Sequence, residues 1–273
     1  MKTLSFHYHL KISMDAPVSR HHFTLRCTPA SDERQRITQV QHYIFPSVSL
    51  SSSRDQWNNI LVYGHHRGLH SSFEANVCGR AVTGMASGTR SPKPERDMIF
   101  QYATQLTAAD DALREFAGRL GIRSGAPEEA EALMHAVYET LSYKPASTTI
   151  STSAAEAFAL GCGVCQDYSH IMIAVCRAAG IPARYAAGMM LGEGQSHAWV
   201  EVLHEGIWTG YDPTNDLVVS DQHIKMSHGR DARDCSINRG IFFGYGSQTT
   251  EISVIVTDAQ EGMAFIPEEE EPR

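Results

Sequence analysis

Cys165, His197 and Asp212 carry the side chains of a thiol nucleophile, a base and a carboxylate, and they occur in that order. Each lies where the local sequence predicts an edge of secondary structure. The thiol is at a predicted helix start, the imidazole at a predicted strand start, and the carboxylate at a strand end just before Pro213. Thiol catalysis needs a base beside the nucleophile and a group that orients the base. The three residues therefore predict a nucleophilic cysteine with its base.

A helix is predicted to position the thiol. Apolar residues recur at helical spacing from Tyr168 to Ala179, and Gly180 followed by Pro182 ends the pattern. The predicted helix runs from about Cys165 to Ala179. The unpaired N–H groups and the helix dipole at its N-terminus stabilise a thiolate, so we expect Cys165 to be the reactive cysteine.

The residues next to the thiol suggest supporting roles. Gly161 and Gly163 permit a sharp turn, and the N–H groups of that turn are candidates to receive an oxyanion. Gln166 is a candidate substrate-binding residue that would polarise a carbonyl. Cys176 lies on the apolar stripe and is predicted to be a small buried hydrophobe.

A hairpin is predicted to position the base. The turn at 205–206 joins two β-branched and aromatic runs, 197–204 and 207–211. If the residues flanking the turn pair with each other, His197 and Asp212 become diagonal neighbours on one face, within reach of a hydrogen bond. A slip of one residue would place them on opposite faces. In the predicted register Asp212 orients His197, whose other ring nitrogen takes the proton of Cys165.

Trp199 is a second candidate substrate-binding residue. It is predicted to lie between His197 and Glu201 on the same strand face. From there it would either line a substrate groove or shield the catalytic pair from water.

Composition divides the chain into three parts. Short β-rich segments separated by Pro, Ser, Asp and Gly fill residues 1–90 and predict a small sandwich or barrel. Residues 91–266 carry the helical patterns and the hairpin, so the predicted fold class is α+β. Residues 267–273 form an acidic tail that should stay solvated. Within the second part the predicted helices, besides that of Cys165, cover 110–120, 127–141 and 153–160.

Charge and hydropathy exclude several partners. The net charge is −8, and the glutamates at 268–271 supply half of it, so nucleic acid is not an expected partner and no basic arm suggests an anionic membrane. No apolar stretch approaches the ~20 residues of a membrane span, and the N-terminus lacks the apolar core of a signal peptide. A cytoplasmic protein with six reduced cysteines and no metal or cofactor is expected.

Several segments together resemble the bacterial branch of the transglutaminase-like superfamily of Cys-His-Asp enzymes. The resemblance is strong from 125 to 245 and looser before 90. The segments that carry it are GVCQDYSH, CRAAGIPARYAAGMM, HAWVEV, GYDPTND, the region 221–240, the strand-like EISVIVTD and, near the N-terminus, APVSRHHFTLRCTP and SSSRDQWNNILVY.

The resemblance implies a papain-like core in which the nucleophile helix packs on an antiparallel sheet, preceded by a β-rich domain. It also implies acyl transfer through a thioester with Cys165, His197 and Asp212 as the catalytic triad, on a peptide or protein substrate. The sequence has no recognisable counterpart of the calcium sites or accessory domains of animal transglutaminases. This favours hydrolysis of an amide or peptide bond over cross-linking of glutamine to lysine.

Other functions stay open at this point. Cys162 and Cys165 form a C-x-x-C pair, which is also typical of disulfide oxidoreductases. A zinc site built from Cys162, Cys165, His170 and His197 is a further alternative, although no second C-x-x-C completes a usual ligand set. A third possibility is a non-catalytic binding protein that keeps the fold.

Overall fold

The structure, a computed structural model, describes residues 1–259. The predicted acidic tail, 267–273, and the last residues of the predicted second part lie outside this range. The helices are α1 (Pro94–Asp97), α2 (Asp111–Leu120), α3 (Pro127–Thr140), α4 (Ala154–Leu160) and α5 (Cys165–Ala178), with a 3-10 turn at Met98–Gln101. The strands are β1 (Lys2–Leu25), β2 (Gln35–Phe45), β3 (Ser51–Arg54), β4 (Ile60–His66), β5 (His70–Thr83), β6 (Gly88–Arg90), β7 (Ser142–Tyr143), β8 (Cys162–Gly163), β9 (Ala183–Met190), β10 (Gly192–Gly194), β11 (His197–His204), β12 (Ile207–Asp212), β13 (Leu217–Val218), β14 (His223–Gly229), β15 (Asn238–Phe243) and β16 (Gln248–Asp258).

The N-terminal region is β-rich, as predicted, and is organised around one long strand. β1 pairs with β5 and β16 through its first half and with β4 and β15 through its second half. The sequence around Pro17 predicted two separate strands here. Instead a register shift between Ser13 and Val18 lets one strand bend and serve both halves of the sheet. Side chains from both halves form a shared core that includes Leu10, Leu25 and Phe73.

The second sheet is antiparallel, in the order β13-β12-β11-β9-β14, with β6 pairing to β12. Helix α5 packs on one face of this sheet. Its buried side chains share a core with residues of β9 and β11 such as Tyr185 and Val200. The architecture is mixed α+β with the predicted nucleophile helix on an antiparallel sheet.

The helices lie close to their predicted bounds because the signals at their ends are local. Ser153 begins α4 with a capping box in which the Glu156 carboxylate accepts a hydrogen bond from the Ser153 N–H. Gly161 ends α4 in the left-handed conformation, with φ of 63°. Gly180 follows α5 with φ of 75°, and Cys176 is buried in the core as predicted.

The hairpin β11–β12 has the predicted register. His204 pairs with Ile207, and the same pairing continues to Val200 opposite Tyr211. Both turn residues have positive φ, 47° at Glu205 and 78° at Gly206, which is the conformation of a two-residue type I′ turn. This turn matches the twist of the strands and so fixes which residues face each other.

The last strands of the described chain return to the first sheet. β15 and β16 both pair with β1, and β16 also pairs with β10, which directly precedes the hairpin. The proposed division of the chain near residue 90 stays a prediction. None of the helices within residues 1–259 combines the length and hydrophobicity that a membrane crossing requires.

Candidate active site

Cys165 is the first residue of α5, and a buried carboxylate organises the turn before it. Asp167 Oδ2 accepts hydrogen bonds from the Val164 N–H at 2.8 Å and from the Thr148 hydroxyl at 2.6 Å. A Cβ atom on Gly163 would lie 2.6 Å from Asp167 Cβ. Glycine at 163 is therefore required by close packing and not by a positive φ. Cys165 itself is half-buried.

His197 lies between the thiol and a carboxylate. Its Nε2 is 2.6 Å from Asp212 Oδ2, and the Cys165 thiol lies near enough to the imidazole to raise the pKa of His197. Because Nε2 is engaged by Asp212, Nδ1 is the ring nitrogen left to accept the thiol proton. The structure thus brings Cys165, His197 and Asp212 together.

Asp212 is fully buried and is held by four short hydrogen bonds. Its Oδ2 accepts from His197 and from Asn215 Nδ2, at 2.6 and 2.8 Å. Its Oδ1 accepts from the backbone N–H groups of Thr214 and Asn215, at 3.0 and 3.3 Å. The sequence analysis missed Asn215, although an Asp-Pro-Thr-Asn run is typical of a turn in which an aspartate caps the following N–H groups.

Burial and hydrogen bonding set the charges of this pair. Burial alone lowers the pKa of His197, but the hydrogen bond to Asp212 and the nearby Cys165 thiol outweigh it and raise that pKa to about 10. Burial would raise the pKa of Asp212, yet the hydrogen bond from His197 and the nearby His223 ring hold it well below its usual range. At neutral pH the site therefore contains an imidazolium beside a carboxylate.

A second histidine, His223, lies against the same carboxylate. Its Nε2 is 3.5 Å from Asp212 Oδ2, and its side chain is only 1% exposed. Within residues 1–259, His197, Asp212 and His223 are the one group of three or more potential metal ligands close enough to share an ion. The alternative zinc set does not converge there, because His170 is buried elsewhere and accepts a hydrogen bond from the Ala232 N–H.

Two open clefts meet at His197. One, of about 650 Å³, passes Cys165 and runs along the loop 191–196 and β10. The other, of about 600 Å³, runs past Tyr138 and Glu139 of α3. His197, Tyr143 and Asn215 line both clefts, so together these form one groove, called the active-site groove below. Cys165 lines the first of these clefts, and His197 lines both.

The two candidate substrate-binding residues are placed differently from the triad. Gln166 is half-buried beside the thiol and does not line either cleft. The Trp199 side chain is fully buried between Ala186, Val219 and His223, beneath the site. Direct contact of either residue with a substrate stays a prediction.

Cys165 differs from the buried cysteines in its surroundings. Burial raises the pKa of Cys27 and of Cys176 to about 12 and also raises that of Cys235. These three thiols are inaccessible, whereas Cys165 lines the groove. All six cysteines are unpaired, so the Cys162–Cys165 pair is in its reduced form here.

Two protein-family models match this chain. The family model of the transglutaminase-like superfamily core matches residues 114–213. The model of the bacterial transglutaminase-like N-terminal region matches residues 4–81. The two matches lie on either side of residues 82–113 and cover most of the chain from α2 to β12 and most of that from β1 to β5.

Curated relatives match over nearly their whole length. An uncharacterised protein of Mycobacterium leprae is 28% identical over 269 residues, which span 89% of this chain and 94% of the relative. An uncharacterised protein of Mycobacterium tuberculosis is 30% identical over 263 residues, spanning 84% and 83% respectively. Both parts of the chain therefore occur together in these relatives.

A solved structure has the same fold. It is that of a candidate cysteine protease from Cytophaga hutchinsonii, with a TM-score of 0.78 and 21% sequence identity. The superposition covers 97% of this chain and 93% of the other. This likeness confirms the predicted fold class, a transglutaminase-like α+β core preceded by a β-rich region.

Proposed function

Since this chain belongs to the transglutaminase-like superfamily, we propose that it is a cysteine-dependent acyl-transfer enzyme that hydrolyses an amide or peptide bond through a Cys165-His197-Asp212 triad. The observation that carries the proposal is that His197 lies between the Cys165 thiol and the Asp212 carboxylate, with the thiol and the imidazole both lining an open groove. A histidine with a purely structural role would have no reason to lie beside both a thiol and a carboxylate at the surface of a groove.

The first half of the reaction forms a thioester. The Cys165 sulfur, with its proton on His197, attacks the carbonyl carbon of the substrate and the carbonyl π bond opens to an oxyanion. When the oxyanion collapses, the C–N bond breaks and the His197 proton passes to the leaving nitrogen. The products of this half are a free amine and an acyl group on the Cys165 sulfur.

The second half returns the enzyme to its starting state. Neutral His197 takes a proton from a water molecule, and the resulting hydroxide oxygen attacks the thioester carbon. The C–S bond then breaks, which releases the carboxylic acid and leaves the Cys165 sulfur as a thiolate beside protonated His197, the state in which the reaction began. Throughout, the carboxylate of Asp212 holds the ring by the 2.6 Å hydrogen bond and stabilises it when it carries the extra proton.

The proposal is tested by an activity screen on the whole protein. Wild type and Cys165→Ala are incubated in H₂¹⁸O with peptides, isopeptides and glutamine-containing donors, and the products are analysed by mass spectrometry. We expect wild type alone to release an amine and to place one ¹⁸O in the new carboxyl group. Transfer of an added amine in place of ¹⁸O would show transamidation. Equal products from both proteins, or none from either, would refute thiol catalysis.

A second experiment separates thiol catalysis from redox chemistry. Cys162 belongs to β8 and is half-buried before the helix. An acyl-transfer enzyme should keep its activity in Cys162→Ser, whereas a disulfide oxidoreductase should lose it. Iodoacetamide should label Cys165 faster than the other cysteines, and this advantage should vanish in His197→Ala.

A further inference from the structure

His223 occupies a position that the triad alone does not explain. It begins β14, which pairs with β9 on the side of that strand away from β11. Its ring reaches Asp212 and packs edge-on against the Trp199 ring, with centroids 5.4 Å apart at 76°. The indole therefore fixes the imidazole plane beside the carboxylate. The polar atoms of a buried imidazole are costly to bury unless they face other polar groups.

The hydrogen bonds of the ring indicate its tautomer. The Ser220 N–H lies 3.4 Å from His223 Nδ1 and donates to it. A neutral imidazole that accepts at Nδ1 carries its proton on Nε2. Among the described residues that Nε2 has the Asp212 carboxylate, 3.5 Å away, as its facing polar group. Nε2 makes no hydrogen bond among the described residues, and the carboxylate oxygen 3.5 Å from it is the one that accepts from His197.

The charges around the ring keep it neutral. Burial lowers the pKa of His223, and the neighbouring cations His197 and Arg34 lower it further, against the opposing effect of Asp212. These three groups face it from β11, from the segment before β2 and from β12. A neutral ring can donate to Asp212 without placing a second cation beside the imidazolium of His197.

We infer that His223 is a positioning residue for the reaction proposed above: its buried Nε2 faces Asp212 at 3.5 Å and stabilises the carboxylate in the orientation that meets His197. This inference rests on the proposed function. It predicts that the aspartate needs a partner on each side, His197 toward the groove and His223 toward the protein interior. His223 never touches the substrate, because it lines neither part of the active-site groove.

Two substitutions test this role. His223→Leu removes the donor with a side chain of similar size, and His223→Gln keeps an N–H donor. We expect the Leu variant to lose about 10-fold in kcat, the effect of losing one polar group that faces a buried charge, with KM unchanged. The acid limb of kcat/KM should move to higher pH, because Asp212 would be protonated more easily. The Gln variant should restore most of kcat and the position of the limb.

The pH dependence of Cys165 alkylation gives a readout that needs no substrate. If wild-type Cys165 is no more reactive than an exposed thiol, the proposed function fails. If wild type is activated but the Leu variant has the same alkylation profile, the inference about His223 is overturned. A lower melting temperature with unchanged profiles would also overturn it, since that outcome shows packing alone.

The tautomer itself can be observed in the unmodified protein. Histidine ¹⁵N shifts at pH 7 should show His223 neutral and protonated on Nε2, with Nδ1 unprotonated. A ring that is doubly protonated, or protonated on Nδ1, would contradict the inference even if the variants fail to fold.

Discussion

Asp212 is the residue on which the candidate site depends most. Its two oxygens accept four short hydrogen bonds, and a further imidazole faces it at 3.5 Å. Such a set fixes both the ionised state and the rotamer of the carboxylate. Because this carboxylate is held in place, it raises the pKa of His197. His197 therefore stays protonated at pH values far above its ordinary pKa.

Replacement of Asp212 by Asn should show how far the carboxylate raises the pKa of His197. The pKa of His197, about 10 in the folded protein, should fall toward its ordinary value of about 6.5. The basic limb of kcat/KM, which reports loss of the His197 proton, should move from near pH 10 toward neutrality. We also expect kcat to fall by roughly 10³- to 10⁴-fold, as when other triads lose their carboxylate.

Asn215→Ala is the matched control for this change, because it removes one donor and leaves the carboxylate. It should shift the limb little. An Asp212→Asn variant with an unshifted basic limb would show that His197 does not owe its charge to Asp212.

At the scale of elements, local sequence signals predicted those structures that depend only on residues close together in the sequence. The apolar stripe and Gly180 defined α5, and the turn at 205–206 defined the hairpin register, so Cys165, His197 and Asp212 could be related to one another. His223 could not be found in this way. It enters the site because β14 pairs with β9, a contact between segments that no turn connects.

The same limit applies to the sheet edges. The pairing of β10 with β16 joins residues 192–194 to 254–256, and no short-range pattern encodes such a partner. The continuous strand β1 was also missed, because the Pro17 region contains the residues that usually end strands. Strand existence is local information, whereas strand partners depend on the whole chain.

The hairpin turn offers a test at this scale. Glu205 adopts a φ of 47°, which is unfavourable for a residue with a Cβ atom and favourable for Asn or Gly. Glu205→Asn should therefore raise the free energy of unfolding by about 0.5 to 1 kcal/mol. The change should appear as a rise of a few degrees, roughly 2–4 °C, in melting temperature.

Gly206→Ala is the companion variant. A Cβ at residue 206 would meet no atom within 4 Å, so any loss of stability comes from the backbone conformation alone. It should cost about 1 kcal/mol. If both substitutions left the melting temperature unchanged, the type I′ turn and the register derived from it would be in error.

Over the whole molecule, buried histidines make the fold sensitive to acid. Burial lowers the pKa of His170 and of His21 to about 4, with help from neighbouring cations and histidines. A histidine with a depressed folded-state pKa contributes stability above its unfolded value of about 6.5. That contribution is lost as the pH falls from 6.5 through 4. Full loss for His170 alone is on the order of 3 kcal/mol.

Urea unfolding at several pH values between 7.5 and 4.5 measures this effect. Wild type should lose stability steeply below pH 6.5, and His170→Gln should show a shallower dependence. His135 is the control because it is 55% exposed and Asp216 raises its pKa. His135→Gln should not flatten the curve, and an equal flattening by both variants would contradict the assignment.

The active-site groove carries a negative charge bias. Its lining includes Glu139 and Glu193, and no Lys or Arg of the described chain lines it. Peptides with Lys or Arg near the scissile amide should therefore react faster than matched peptides with Glu. Each glutamate is exposed, so the preference should be a few-fold, roughly 2- to 5-fold per charge, and should weaken with salt.

Charge-removing variants test the source of that preference. Glu193→Gln and Glu139→Gln should each reduce the ratio of kcat/KM for cationic over anionic peptides. Glu115→Gln on α2, an exposed acid outside the groove, should leave the ratio unchanged. A preference that persisted in the double variant would place its origin elsewhere.

Strand β16 follows all the candidate site residues in the sequence and is therefore synthesised after them. It completes the sheet begun by β1 and supports β10, whose residues line the groove beside Cys165. A growing chain holds the triad residues well before residues 248–258 leave the ribosome, and chains fold as their segments emerge. A nascent chain would therefore contain Cys165 before β16 is available to pair with β10, whose residues line the groove. On the proposed function, the groove that receives the substrate would be complete only after the closing strand has been made.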